Sequence, residues 1–182
     1  MSGDLQTQAN ALLGMPGAAL WVWMGSRAAS VALGVLALGL GLASETRRRL
    51  LLPAILAVVL ADLSVNRVLK PAFDEARPCA VRLDLATGLP GDPRHCSSSG
   101  AFPSSHAANT AALAVALASR PLLAVSAIVG VQRVVTAQHS PLDVLAGWFW
   151  GAVLGLGCRR VADALWRRRE RRIMRTGETR VR

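Results

Sequence analysis

The chain has 182 residues, 52% of them hydrophobic and 18% charged, with a formal net charge of +10 and a mean hydropathy of +0.37. That length suits one domain, and long Ala, Val, Leu and Gly stretches carry almost no charge while ten arginines lie at or beyond Arg159. The segregation argues against a soluble helical protein, which would carry charges on every turn. It argues equally against a nucleic-acid binder, because the basic residues follow apolar segments instead of interleaving with aromatics, and Tyr is absent.

In chain order, residues 1–27 read as an interfacial or lead-in segment. The opening MSGDLQTQAN has an acid and no basic residue before Arg27, so no cleaved signal peptide is expected. ALLGMPGAALWVWM (11–24) is short and broken by Pro and Gly, and its two tryptophans suit a membrane interface. Five apolar segments follow, at 28–43, 50–69, 101–119, 121–137 and 143–158. Several are near the short end of what spans a bilayer, about 17 to 25 residues. The expected fold is an all-α polytopic transmembrane bundle of about five to six spans, with a core at 28–158. A short outer-face loop or helix joins spans two and three. Residues 159–182 form a basic tail.

Arg47, Arg48, Arg49, Arg120 and the tail mark the cytoplasmic side by the positive-inside rule. The same arginines are suited to anionic lipid headgroups, so membrane lipids are expected partners. The N-terminus then lies outside, and the 70–102 loop and the 137–143 turn share the outer face. Cys79 and Cys96 fall in that loop, where an oxidising compartment permits a disulfide worth about 3 kcal/mol; two free thiols are the alternative. Cys158, at the inner end of span five, reads as packing.

Three polar clusters interrupt the apolar pattern, all on the outer side. KPAFDEARP (70–78) carries Lys70 and Arg77, seven apart; if a helix opens at Pro71, both project from one face. Taken alone, Lys70 is equally a boundary lysine that snorkels and Arg77 a loop cation. FPSSHAAN (102–109) marks a helix start, where free N–H groups and the positive dipole end favour an anion. Ser104 adds a hydroxyl and His106 falls in the first turn; an ordinary serine cap is the plain alternative. RVVTAQHSPLD (133–143) contains Ser140-Pro141-Leu142-Asp143, which has the form of a helix cap with an acid in its third position. His139 stands just outside it, near enough for Asp143 to orient. Arg133, within an apolar run, is costly there unless it meets a polar cavity or an anion. No metal-ligand set stands out: His95, in the outer loop, lacks ligand spacing, so neither zinc nor any other cofactor is expected.

These three clusters resemble the tripartite signature of the type 2 phosphatidic acid phosphatase superfamily, which includes lipid phosphate phosphatases and is related to vanadium haloperoxidases. The signature is K-x6-R-P, P-S-G-H and S-R-x5-H-x3-D. The chain matches it with Lys70…Arg77-Pro78, Pro103-Ser104-Ser105-His106 and Gln132-Arg133…His139…Asp143. Two positions depart: Ser105 stands in place of the glycine and Gln132 in place of the serine.

The resemblance implies metal-independent hydrolysis of a lipid phosphate or pyrophosphate through a phosphohistidine. His139 would be the nucleophile, Asp143 its orienting acid and His106 the general acid and base. Lys70, Arg77, Arg133, Ser104 and the backbone near Ser105 would bind phosphate. It further implies an inner-membrane protein whose site faces the periplasm or exterior, acting on an amphiphilic substrate; undecaprenyl pyrophosphate is the preferred candidate. A lipid phosphotransferase of the same fold, or a non-catalytic protein that binds anionic lipid, are the alternatives.

Overall fold

A computed structural model describes residues 27–81 and 96–178. The readings of residues 11–24 and of His95 lie outside this set. The described residues are helical with no strand: α1 (Arg27–Leu42), α2 (Glu45–Ser64), a π-helical turn (Val65–Leu69), α3 (Lys70–Phe73), α4 (Pro78–Val81), α5 (Ser105–Ala116), α6 (Arg120–Val135) and α7 (Pro141–Glu178).

Each expected apolar segment coincides with a helix, but the helices differ from those segments in length. Two stretches, Arg47–Val81 and Pro141–Met174, are long and apolar enough to cross a membrane; Ala32–Leu42 is a shorter apolar helix. α5 is only 12 residues, about 18 Å of helix against a hydrocarbon core of about 30 Å. Its apolar run is longer than its helix because residues 101–104 belong to the loop before it, while Ala118 (φ 48°) turns the chain into α6. α7, in contrast, continues unbroken through Arg159 for 38 residues.

α5 is the central helix, packed against α2, α6 and α7. The interior is built from small side chains: Ala54, Ala57 and Ala61 of α2 face Ala108 and Ala112 of α5, all fully buried. Large apolar side chains point outward instead, including Leu52, Ile55 and Leu63 on α2 and Leu145, Phe149 and Val153 on α7. This inversion suits a lipid solvent, in which helices associate through close packing and interhelical hydrogen bonds.

Gly147, Gly151 and Gly155, one turn apart on α7, form the closest seam. A Cβ on Gly151 would run into the Ala108 backbone, and one on Gly155 would lie 2.6 Å from the Ala112 carbonyl oxygen. Polar links reinforce the bundle. Trp150 Nε1 donates to Ser64 Oγ (2.8 Å), and the Thr110 and Ser126 hydroxyls meet at 2.9 Å. At the other end of α7, Arg49 approaches Glu170 (3.7 Å) and lies over the Trp166 ring (4.9 Å), tying the basic extension to the start of α2.

Candidate active site

The first cluster departs from its expected form. Lys70 and Arg77 do not share a helix: α3 ends after four residues at Asp74, whose left-handed conformation (φ 42°, ψ 41°) turns the chain away. Lys70 instead prolongs α2 through the π-turn and is buried, and Pro78 opens a separate helix, α4. Arg77 lies in the connecting segment and enters the site from a different direction.

Its guanidinium joins two loops. Arg77 Nε donates to the Ser99 carbonyl (2.8 Å), Nη2 to Ser99 Oγ (3.0 Å), and Nη1 to the Gln138 carbonyl (3.0 Å). Nη1 also lies 3.1 Å from His139 Nε2. A disulfide between Cys79 and Cys96 and a bond from the Cys79 N–H to the Ala137 carbonyl (2.9 Å) hold the flanks. The Ala101 N–H, bonded to the Glu75 carbonyl (2.7 Å), lays the 97–101 loop across Lys70. A Cβ on Gly100 would stand 3.3 Å from the Lys70 carbonyl. Phe73 and Phe102 meet edge to face at 4.8 Å beside it.

The second cluster starts α5. Ser104 is the N-cap: its Oγ accepts from the Ala107 N–H (3.5 Å), and its own N–H donates to the Asp143 carbonyl (2.9 Å). Helix geometry leaves the Ser105 and His106 N–H groups without an intrahelical acceptor. Ser105 is buried, whereas the His106 side chain is exposed at the helix start. It lies within electrostatic reach of Arg133, His139, Lys70 and Arg77.

The third cluster closes the site. The Ser140 N–H donates to Asp143 Oδ2 (2.8 Å) and the Asp143 N–H returns a bond to Ser140 Oγ (3.2 Å), a reciprocal cap at the start of α7. The same Oδ2 lies 3.4 Å from His139 Nδ1, with both side chains only 1% exposed. At that length the contact orients the ring electrostatically more than it bonds it. Arg133 lies in the last turn of α6 and is 8% exposed; its Nε and Nη2 have no hydrogen-bond partner among the described residues. Gln132 is buried next to it.

These contacts specify the imidazole. A guanidinium only donates, so Nε2 of His139 must accept from Arg77 and carry the lone pair, leaving the proton on Nδ1 towards Asp143. Burial pushes the His139 pKa down to about 4; Asp143 opposes that shift and the Arg77 charge adds to it. The ring is therefore neutral at pH 7, with the lone pair of Nε2 turned to the Arg77 guanidinium.

The sequence motifs contain no sign of Ser99, Gly100 and Gln138, which serve Arg77 through main-chain and hydroxyl atoms. Asp62 had a signal, as an acid within an apolar span. Its Oδ1 accepts from Asn66 Nδ2 (2.9 Å) and Asn109 Nδ2 (2.8 Å), joining α2 to α5 just below Lys70.

No curated protein and no solved structure matches the chain. The model of the PAP2 superfamily matches residues 50–167, which run from Leu50 in the second turn of α2 through Arg167 in α7 and contain all three clusters. That match covers well over half of the 182 residues, and with it the chain belongs to the PAP2 superfamily, whose members are phosphatases.

Proposed function

We propose that the protein is a multi-pass membrane phosphatase that hydrolyses lipid phosphates or pyrophosphates through a phosphohistidine. The observation that carries the reading is the state of His139: neutral, its Nε2 lone pair turned to Arg77 and its Nδ1 proton to Asp143. That is the arrangement a nitrogen nucleophile needs. Arg133, buried with two unpaired nitrogens, supplies donors that await an anion.

In the reaction, Nε2 of His139 attacks phosphorus as the bond to the lipid-side oxygen breaks, and His106, taken up as its imidazolium once the bound phosphate dianion offsets the surrounding cations, gives that oxygen its proton. His106 then takes a proton from water, which attacks the phosphohistidine and returns His139 with release of inorganic phosphate. Asp143 stabilises the imidazolium character that grows on the ring. Lys70, Arg77, Arg133, the Ser104 hydroxyl and the free N–H groups of Ser105 and His106 hold the non-bridging oxygens. This charge stabilisation is the larger part of phosphoryl-transfer catalysis, and three fixed cations take the role that a metal fills elsewhere.

The outward-facing apolar side chains suit a lipid surround, and Arg47, Arg48, Arg49, Arg120 and the basic tail favour a site at the outer membrane face with the tail in the cytoplasm. A site at the mouth of such a bundle admits a lipid headgroup while its tail stays in the bilayer. Undecaprenyl pyrophosphate is the preferred substrate.

The test is a panel of lipid phosphates and pyrophosphates offered to detergent-purified protein, with phosphate and lipid products both measured. Phosphate release that disappears in His139→Ala, with the variant still folded, is the expected result. Near-normal release by His139→Ala removes it as nucleophile. A newly phosphorylated lipid in place of free phosphate identifies a transferase.

A further inference from the structure

Asp62 lies in a helix that is apolar from Leu50 onward, one turn before the π-turn. Its visible task is to accept two amide hydrogens on one oxygen and so brace α2 against α5. An asparagine carbonyl would accept the same two bonds. The negative charge is therefore surplus to the brace, and a charge within an apolar span is costly enough to require a separate reason.

The π-turn supplies one. In an uninterrupted α-helix, Lys70 would follow Asp62 by eight positions, about 80° off its face. A π-turn absorbs one extra residue, so Lys70 stands as a seventh position would, within about 20° of Asp62. Asp62, Asn66 and Lys70 thereby share one face, turned towards Asn109, which lies one helical turn after His106. The axial separation from Asp62 to Lys70 is about 10 Å, and no ion pair joins them among the described residues. Asp62 nevertheless lies within electrostatic reach of the Lys70 ammonium. Lys70, Arg77 and Arg133 are three buried cations, and Asp62 is an acid on the face below Lys70 that no contact of the reacting groups uses.

We propose that Asp62 is the counter-charge of the oxyanion cradle: it offsets the mutual repulsion of the empty cations and lowers their affinity for phosphate enough for the product to leave. The inference rests on the phosphatase reading of the same site. It has a definite sign. Because Asp62 does not hold Lys70 by direct contact, replacing it with asparagine keeps the brace and removes only a long-range repulsion of the bound anion. Across about 10–12 Å at an effective dielectric near 20, one charge corresponds to about tenfold in an equilibrium constant.

The experiment uses the full chain in detergent, with inorganic phosphate as probe. Phosphate affinity is read by calorimetric titration and as product inhibition of lipid phosphate turnover. Asp62→Asn should bind phosphate about tenfold more tightly and show lower KM and lower kcat together, and the difference from wild type should shrink at high salt. Asp62→Glu, which restores the charge, should stay within about threefold of wild type. A structural role alone gives a lower unfolding midpoint with weaker phosphate binding, and that result overturns the proposal, as does unchanged affinity. Should Asp62→Asn not elute as a single folded species, Asp62→Ser is read by the same criteria. If the wild type neither binds phosphate nor releases it from any substrate, the phosphatase reading itself falls; if the wild type does both and Asp62→Asn binds no tighter, only the role of Asp62 falls.

Discussion

Arg77→Lys separates charge from geometry, because it keeps the positive charge and removes the planar fork. In the structure the fork serves the Ser99 carbonyl (2.8 Å), the Gln138 carbonyl (3.0 Å) and Ser99 Oγ (3.0 Å), while also meeting His139 Nε2 (3.1 Å). A single ammonium on a flexible stem cannot reach both loops, so at least two charge-assisted bonds are lost at about 1.5–3 kcal/mol each. The loss of about 3–6 kcal/mol falls on the order of the 97–101 and 137–139 segments. Expressed in transition-state binding, it corresponds to a fall of about 10²–10⁴ in kcat/KM. The assay is phosphate release from a lipid phosphate in mixed micelles, alongside a thermal unfolding curve to show that the bundle persists. A kcat/KM within about fivefold of wild type would refute the reasoning, since the cradle would then work by charge alone.

Three further outcomes follow from other parts of the molecule. Gly151→Val puts a branched side chain into the Ala108 backbone and should lower the unfolding midpoint and activity together, at about 1–3 kcal/mol or more. Gly157→Ala, with nothing within 4 Å, is the matched control and should be neutral or stabilising. The pH profile should keep its acid limb near 4, because the His139 pKa is depressed to about 4 from its ordinary 6.5. Between those values the unfolded chain binds more protons at this residue, so stability falls as pH falls through that window; activity half lost by pH 6.5 would contradict the assignment. Reduction of the Cys79–Cys96 bridge, or Cys96→Ser, frees a link spanning 17 positions. It should cost about 3 kcal/mol and reduce kcat/KM by loosening Arg77, read as activity with and without reductant.

The second and third clusters were legible because their polar residues sit at helix starts, which carry their own signals: Ser104 before α5, and Ser140-Pro141 with Asp143 at α7. The path of the chain between Lys70 and Arg77 was not legible. Seven positions can be read as two helical turns, and nothing local shows that Asp74 adopts a left-handed conformation or that a π-turn precedes Lys70. The partners of Arg77 were hidden for a different reason. They are mostly carbonyl oxygens of Ser99 and Gln138, and every residue has one. The α7 seam was visible as glycines at 147, 151 and 155, yet the apolar run around them masks a spacing that matters only once α5 lies against it. The extent of α5 was over-read because Ala101, Phe102 and Pro103 carry the apolar run into the loop before Ser104, and Leu117 and Ala118 carry it past the last turn.

The main-chain bond from the Ser104 N–H to the Asp143 carbonyl, together with the bare glycine contacts below it, has a consequence for life in a fluctuating bilayer. His106 lies in the first turn of α5 and His139 just ahead of α7, and these two rods meet main chain to main chain, so the gap between them is set by close backbone packing and not by pliable side chains. When the surrounding lipid thins, thickens or cools, the two rods must tilt as one body. The spacing of the two histidines is thereby insulated from such changes, and adaptation is left to the outward-facing residues.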